Sequence, residues 1–231
     1  MTLISNYNQV QQNIIQTCQK VHRSPDEISL IAVSKTKPLT DIEELLASGV
    51  IEFGENKVQE IVDKYEHISQ PVHWHMIGHL QTNKVKYIID KVTLIHSVDS
   101  LKLAKVISNE AVKHNLTMHV LLEVNVAEEE SKFGFTVEDL YHNITHIAEL
   151  PNIHIDGLMT IAPYVDNPED NRIHFRHLKE ILIDINEKNI DNVDMNVLSM
   201  GMTGDYQVAI EEGATIIRVG TGIFGERSYH L

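Results

Sequence analysis

The sequence contains a single cysteine, few aromatic residues and no long apolar run. Cys18 stands alone in a chain of 231 residues, so neither a disulfide framework nor a thiolate metal site is expected, and a reducing compartment is indicated. No apolar run approaches the length of a membrane span, and the amino terminus lacks the charged and apolar segments of a signal peptide. We therefore predict a cytoplasmic protein that does not associate with a membrane.

Basic residues are scarce as well. The chain has 19 lysines and arginines against 33 acidic residues, which gives a formal net charge of −14. We therefore expect no extended basic surface for nucleic acid or anionic lipid. A small anion could still be held locally, by helix amino termini and a few arginines.

Short apolar runs alternate with amphipathic helical segments along the whole chain. The predicted strands cover residues 29–35, 50–53, 72–77, 93–98, 118–126, 153–160, 195–200 and 215–219. Eight strands, each followed by a helical segment, predict an α/β fold: a single closed (β/α)8 TIM barrel with an extra amino-terminal helix, as one domain over residues 1–231. A doubly wound sheet is disfavoured because no G-x-G-x-x-G turn follows the first strand.

Capping residues predict where several helices begin. Polar residues that can accept hydrogen bonds from the first helical amides precede five of the amphipathic segments. They are Ser5, Thr40, Ser100, Thr136 and Asn167, the last followed by Pro168 at the first helical position.

Lys35 stands where the first strand, rich in isoleucine and valine, ends. The carboxyl ends of the strands are where α/β folds carry their chemistry. Partial burial there favours the uncharged amine, which can attack an aldehyde and form an imine. The alternative interpretation is a solvated lysine that only ends a strand.

Two glycine-containing segments follow the seventh and eighth predicted strands. Ser199 and Met200 lead into a glycine after the seventh, and Gly220 and Thr221 open a short helix after the eighth. Many barrels bind a phosphate between these two loops, through backbone amides and hydroxyl groups. The pairing predicts an anion site, although two ordinary glycine turns would look the same in isolation.

Arg218 lies inside the otherwise apolar eighth strand. A buried arginine is unfavourable unless it is paired or faces a polar opening. One interpretation is an ion pair with a core carboxylate such as Glu123 or Asp156. The other is that Arg218 donates to the ring nitrogen of a pyridine. A lysine for an aldehyde, an anion site and a donor for a ring nitrogen together describe pyridoxal 5′-phosphate (PLP).

Five sequence blocks resemble those of the pyridoxal phosphate homeostasis protein family. They read VSKTKP at 33–38, FGENKVQE at 53–60, WHMIGHLQTNK at 74–84, LSMGM at 198–202 and RVGTGIFG at 218–225. Members of that family are similar to the amino-terminal barrel of alanine racemase standing alone. Two departures are Met76, where phenylalanine is frequent in the family, and Gly222, where alanine is frequent.

The resemblance implies a role for each matched position. By this resemblance Lys35 carries PLP as a Schiff base, Arg218 faces the pyridine nitrogen and Asn56 lines the cofactor. The phosphate would be held through hydroxyls and amides of Ser199, Met200, Gly220 and Thr221.

Two functional classes follow from these expectations. The first is a non-catalytic carrier for intracellular PLP homeostasis and delivery, a monomer whose candidate partners are PLP-dependent apoenzymes. The second is a racemase-like amino-acid enzyme. An arginine at the ring nitrogen leaves the ring a weak electron sink, and racemases of this type take a second base, a tyrosine, from an additional β-domain of a partner subunit. We find no such domain in this sequence, and therefore predict the carrier and no catalytic residues.

Several further side chains have more than one interpretation. His73, His75 and His79 suggest a metal site, but no acidic ligand motif accompanies them, so we predict polar histidines at a strand end and no metal. Lys132, which follows the fifth strand, is either a surface lysine or a second amine that receives the aldehyde. Lys84 is a weaker candidate for that second role.

Overall fold

In the computed structural model, the described residues, 2–129 and 132–226, form a closed barrel of eight parallel strands. The strands pair in chain order, and the last pairs with the first, with Ile31 opposite Arg218. The strands are β1 Ser29–Val33, β2 Glu52–Glu55, β3 His73–Met76, β4 Leu94–Val98, β5 Met118–Glu123, β6 Ile153–Met159, β7 Val193–Ser199 and β8 Ile216–Val219. The predicted fold class is confirmed.

Helices surround the barrel. They are α1 Leu3–Lys20, α2 Leu39–Ala47, α3 Val58–His67, α4 Leu101–His114, α5 Val137–Ala148, α6 Arg172–Glu187, α7 Tyr206–Glu211 and α8 Thr221–Phe224. Short 3-10 segments cover Pro25–Glu27, Thr82–Tyr87 and Pro168–Asn171. The helical segment predicted after the third strand is therefore the 3-10 segment Thr82–Tyr87, and the extra amino-terminal helix is α1.

The alternation along each strand separates two apolar cores. One core lies between strands and helices, and it contains Trp74 and Met76 from β3. The other fills the barrel interior, with residues such as Ile31, Leu94 and Leu121. Because neighbouring side chains on a strand point to opposite faces, His73 and His75 face the interior, as does Arg218 between Ile217 and Val219 of the outer core.

The helix caps agree with the sequence at some positions and not at others. Ser100 and Thr136 are confirmed, since their hydroxyl groups accept hydrogen bonds from the amides of Leu103 and Asp139. Ser5 was the wrong cap for α1: Thr2 accepts from the Ser5 amide, so the helix begins earlier.

Two other predicted helix starts also move. The cap predicted at Thr40 is wrong, because α2 begins at Leu39 directly after Pro38, and Pro38 makes no side-chain cap. Asn167 does cap, accepting from the Glu169 amide, but it caps the 3-10 segment that precedes α6. Pro38 is the last extended residue before α2, and Pro168 occupies the first position of the 3-10 segment, where its missing N–H costs no hydrogen bond.

The observed strands differ from the predicted ones mainly at their ends. The fifth strand was predicted to reach Val126 but ends at Glu123, and β2 begins at Glu52 and continues to Glu55. The chain from Val124 onward still makes one bridge, between Val124 and Phe135. None of the helices in the described ranges combines the length and apolar character that crossing a membrane requires.

Candidate functional site

A cavity of about 950 Å³ opens at the carboxyl ends of the strands. Its volume lies in the range typical of small-molecule and cofactor sites. Five of the seven residues predicted to bind a cofactor line it: Lys35, Asn56, Arg218, Gly220 and Thr221. The barrel therefore brings together, in one pocket, groups that are up to 186 positions apart in the sequence (35 to 221).

Lys35 lies in a tight turn directly after β1 and is half-buried. The amide of Lys37 donates to the carbonyl of Ser34 at 3.0 Å and closes the turn. Thr36 has a φ of +63°, which a β-branched residue rarely adopts. Its amide donates to Oε2 of Glu60 at 2.7 Å, and this bond offsets part of the strain.

A buried ion pair supports the same turn from α3. Nζ of Lys64 donates to Oε1 of Glu55 at 2.6 Å and to the Ser34 carbonyl at 2.9 Å. The Ser34 hydroxyl also donates to Oε1 of Glu55 at 2.6 Å. Burial raises the pKa of Glu55 to about 7, and Lys64 and Ser34 oppose that rise. These contacts fix the backbone that presents Lys35 to the cavity.

Arg218 is buried at the floor of the cavity and reaches it from β8. Its guanidinium donates to Oγ of Ser199 at 2.5 Å and to the Thr160 carbonyl at 2.8 Å. Burial lowers the Arg218 pKa to about 10, and the carboxylates of Glu123 and Asp205 oppose this. With two of its five N–H groups engaged within the described residues, the guanidinium retains donors for a ligand.

The ion pair considered for Arg218 is not formed. Glu123 makes no direct ion pair with Arg218 in the described part of the chain, although its charge acts on Arg218 at longer range. Asp156 is instead bonded to His119 at 2.9 Å, and its second neighbour is His154. The polar-opening interpretation of Arg218 is therefore the one that the geometry fits.

The two loops predicted to bind an anion meet at the cavity wall. Gly220 and Thr221, at the start of α8, line the cavity together with Thr203 from the loop after β7. The Gly222 amide donates to Oγ1 of Thr203 at 3.2 Å, which joins the two loops. An added Cβ at Gly222 would stand 2.9 Å from Val219 and 3.2 Å from Thr203, so the glycine permits this close approach.

Ser199 and Met200 lie below the cavity and are not among its lining residues. Both side chains are fully buried. The Ser199 hydroxyl is engaged by Arg218 and lies 2.9 Å from Nδ1 of His96. The Met200 amide donates to the Ile216 carbonyl at 3.1 Å, and its side chain belongs to the outer core. Neither residue presents to the cavity the group that the sequence motif suggested.

Asn56 provides a test of whether the pocket fits PLP. It lines the cavity, and its Oδ1 is buried without a hydrogen-bond partner among the described residues. Lys35, Lys132 and Arg218 supply positive charge to the cavity wall of a chain with a net charge of −14, although Asp205 and Glu226 lie there too. An amine, an unsatisfied amide, an arginine and a glycine-containing loop match the aldehyde, hydroxyl, ring nitrogen and phosphate of PLP.

The structure separates the two additional lysines. Lys132 lines the cavity, donates to the Ile161 carbonyl at 3.3 Å and pairs with Glu129. Lys84 lines a separate shallow groove beside α3 and lies over the Tyr87 ring, 5.8 Å from its centroid. Of these two amines, only Lys132 shares the pocket of Lys35.

Several residues of the pocket belong to no motif in the sequence. Asn171, in the 3-10 segment before α6, donates to the Pro163 carbonyl at 3.0 Å and to Asp205 at 2.8 Å. Asp205 in turn accepts from the Met202 amide at 2.7 Å, so these contacts join the loops after β6 and β7. Tyr164 also lines the cavity and is 95% exposed.

The three histidines considered as metal ligands have other partners. His73 and His75 both bond to Glu52, and His79 pairs with Asp99 at 3.0 Å and stacks on Phe133. Within residues 2–129 and 132–226, no group of three or more His, Cys, Asp or Glu side chains could hold a metal ion.

Comparison with known proteins identifies first the class and then the family. The family model for the alanine racemase N-terminal domain matches residues 5–228. The fold of an alanine racemase from Clostridium difficile is similar, with a TM-score of 0.75 and 16% identity, covering 99% of this chain and 57% of that one. The molecule is thus a barrel of the alanine racemase N-terminal class.

Closer relatives define the family. The pyridoxal phosphate homeostasis protein of Aquifex aeolicus is 45% identical over 99% of this chain and 100% of its own length. A structure of PipY from Synechococcus elongatus, with PLP bound, has a TM-score of 0.81 and 32% identity, covering 92% of this chain and 100% of that one. The chain belongs to the pyridoxal phosphate homeostasis protein family.

Proposed function

We propose that this protein binds PLP in the barrel cavity, with Lys35 as the residue that attaches it covalently. The observation that carries the proposal is the convergence of Lys35, Asn56, Arg218, Gly220 and Thr221 on one cavity. The PLP-bound PipY structure, 32% identical to this chain, supports the same ligand. PLP supplies an aldehyde, and reversible attachment through that aldehyde would allow the protein to store and release PLP.

The attachment requires no redox partner. The Lys35 amine adds to the aldehyde carbon and water leaves, so a C=N bond replaces the C=O bond, and hydrolysis reverses the step. The supported turn at Ser34, Lys35 and Thr36 fixes the backbone from which the Lys35 side chain extends before the ligand arrives. Preorganisation of this kind lowers the entropy lost on binding.

The groups on the cavity wall indicate where the phosphate and the ring nitrogen of PLP bind. We assign the phosphate to the wall formed by Thr203, Gly220 and Thr221, and the ring nitrogen to the Arg218 guanidinium. Ser199 acts on the ligand through Arg218, since its hydroxyl is bonded to that guanidinium and is fully buried. Met200 supports the loop from below.

We propose a carrier without amino-acid turnover: a cytoplasmic monomer, one domain over the whole chain, that exchanges PLP transiently with apoenzymes. The relatives named as homeostasis proteins support this class. The alternative is a racemase-like enzyme, and the observation that favours it is Tyr164 at the cavity. Tyr164 is 95% exposed and makes no hydrogen bond to other described residues, so it is not held in place as a second base.

Absorption spectroscopy with borohydride reduction tests the attachment. The protein loaded with PLP should show a long-wavelength imine band that borohydride removes, and peptide mapping should find the reduced adduct on Lys35. Lys35→Ala should lose the band and keep the fold, because the side chain is half-buried at the opening. Lys132→Ala is the matched control, since Lys132 lines the same cavity. A reducible band that persists in Lys35→Ala would place the attachment elsewhere.

A further inference from the structure

A line of hydrogen-bonded polar side chains crosses the barrel interior below the cavity. From Ser199, which accepts from Arg218 at 2.5 Å, it continues to Nδ1 of His96 at 2.9 Å. Nε2 of His96 lies 3.0 Å from Nδ1 of His75, and Nε2 of His75 lies 2.6 Å from Oε2 of Glu52. We call Ser199, His96, His75 and Glu52 the interior chain.

The interior chain connects the two ends of the barrel. Arg218 lines the cavity at the carboxyl ends of the strands, whereas Glu52 is the first residue of β2 and is partly exposed at the opposite end. The links between them are fully or almost fully buried: Ser199 and His96 are 0% exposed and His75 is 6% exposed. Buried polar groups of this kind are unfavourable unless every member is satisfied.

Donor and acceptor chemistry fixes the direction of every bond. The Arg218 guanidinium can only donate, so the Ser199 oxygen accepts from it. The Glu52 carboxylate can only accept, so Nε2 of His75 donates to it. When both imidazoles are neutral, each has one donor and one acceptor nitrogen, so Nδ1 of His96 accepts the Ser199 proton. His96 then carries its proton on Nε2 and donates to Nδ1 of His75. His75 likewise carries its proton on Nε2 and donates to the Glu52 carboxylate.

The charges at the two ends agree with this direction. Burial, together with the nearby His75 and Arg218, holds the pKa of His96 well below its usual range, so His96 is neutral. Burial alone would raise the pKa of Glu52, but hydrogen bonds from His75 and His73 outweigh it, so the pKa is lowered and Glu52 is ionised. The interior chain therefore lies between the Arg218 cation at one end and the Glu52 anion at the other.

We propose that Glu52, acting through His75, His96 and Ser199, is a positioning residue that holds the Arg218 guanidinium toward the ring nitrogen of the ligand. The inference rests on the proposed function for the identity of that ligand. Ser199 and Thr160 are the hydrogen-bond partners of the guanidinium within the described residues, so loss of order at Ser199 leaves the guanidinium one fixed point. Hydrogen bonds linked in a chain polarise one another, so loss of the negative charge at Glu52 weakens the hydrogen bond between His96 and Ser199.

The first test needs no cofactor and no variant. Long-range ¹H–¹⁵N spectra of the imidazole groups in the unloaded wild-type protein report which nitrogen carries each proton. We expect Nε2 for both His75 and His96. A proton on Nδ1 of His96 would mean that His96 donates to Ser199 and not the reverse. That result would overturn the proposal, whether or not PLP binds.

The second test compares Glu52→Gln with Asp156→Asn. Asp156 is a matched control, since it too is a partly exposed carboxylate beside two histidines, His119 and His154, and it has no link to Arg218. Glu52→Gln should shift the imidazole ¹⁵N resonances of His96, two hydrogen bonds away, and Asp156→Asn should not. An unshifted His96 in Glu52→Gln would contradict transmission along the chain.

The same pair of variants tests the effect on the ligand. The probes are PLP and a carbocyclic analogue in which a CH group replaces the ring nitrogen. Glu52→Gln should weaken PLP binding by about fivefold, the scale of one hydrogen bond, and leave the analogue unchanged. Asp156→Asn should change neither affinity. Equal losses for both probes, or no loss for PLP, would overturn the proposal, whereas failure of the proposed function would appear as the absence of a reducible Lys35 adduct in the wild type.

Discussion

Two hydroxyl groups near the cavity have different surroundings. Ser199 is fully buried between Arg218 and His96, and Thr221 is exposed on the cavity wall. A hydroxyl on the wall can bond a phosphate directly, whereas one below the floor can act only through its neighbours. The difference predicts that loss of the Thr221 hydroxyl affects only a ligand with a phosphate, whereas loss of the Ser199 hydroxyl affects ligands with and without one.

Thr221→Val should weaken PLP binding by about 1–3 kcal/mol, the scale of a hydrogen bond to a charged group, and leave binding of pyridoxal almost unchanged. Ser199→Ala should weaken both ligands alike, because both possess the ring nitrogen. Equilibrium titration of each variant with PLP and pyridoxal measures this. Equal losses in Thr221→Val would show that Thr221 acts through the fold and not on the phosphate.

Glu123 is a buried carboxyl group that makes stability depend on pH. Burial, with a smaller contribution from Asp99, raises its pKa from the usual 4.5 of a glutamate to about 7, and Arg218 opposes this. As pH rises above 4.5 the unfolded state ionises first, so the folded state loses stability until pH passes about 7. The shift corresponds to a loss of at most about 3 kcal/mol.

Glu123→Gln should therefore be more stable than the wild type near pH 8, by up to about 3 kcal/mol, with the difference vanishing near pH 4. Urea unfolding at the two pH values measures it. Glu43→Gln is the control, since Glu43 is exposed on α2 and its replacement should change little. A Glu123→Gln protein less stable than the wild type near pH 8 would mean that the carboxylate is needed in the folded state.

At the scale of elements, α3 and β2 determine the shape of the turn that carries Lys35. Lys64 joins Glu55 of β2 to the Ser34 carbonyl, and Glu60 accepts from the Thr36 amide. The turn is therefore stabilised by contacts from two elements that follow it in the sequence.

Near pH 8, above the Glu55 pKa of about 7, Lys64→Met should lower the free energy of unfolding by about 3–5 kcal/mol, because the buried Glu55 must then stay ionised without its cation or take up a proton. The double variant Lys64→Met with Glu55→Gln should recover part of that loss, since no unpaired charge remains. Urea unfolding of both proteins decides the point. A double variant as unstable as the single one would show that the loss comes from packing of Lys64 alone.

At the scale of the whole molecule, the question is whether the barrel alone can turn over amino acids. Racemisation requires a base on each face of the bound substrate, and an arginine at the ring nitrogen leaves a carbanion poorly delocalised. Tyr164 lines the cavity but is 95% exposed, so it is not oriented for this work.

We therefore expect the PLP-loaded protein, incubated with L- or D-alanine in deuterated water, to show no rapid deuterium uptake at the α-carbon. Proton NMR and chiral analysis measure it, and Lys35→Ala gives the background. Rapid uptake with loss of chirality, abolished by Lys35→Ala and by Tyr164→Phe, would establish the racemase-like enzyme in place of the carrier.

The sequence by itself determined the barrel, the position of Lys35 and the helix starts at Ser100 and Thr136. Each of these is local: apolar periodicity defines a strand or helix, and a cap acts within three residues of itself. The strand ends were less well determined, because β2 and β5 stop where pairing with neighbours stops. Lys35, Arg218 and the two glycine-containing loops already indicated PLP, and the resemblance to a known family added Asn56.

Only the tertiary structure decided which polar groups meet inside the barrel. His96, Ser199 and Arg218 lie on β4, β7 and β8, and no local pattern links positions so far apart in the chain. The sequence motif grouped Ser199 with the phosphate loop, but its side chain points to the interior and bonds Arg218. Closure of the sheet fixes which side chains share an interior layer, so the interior chain exists only once all eight strands have paired.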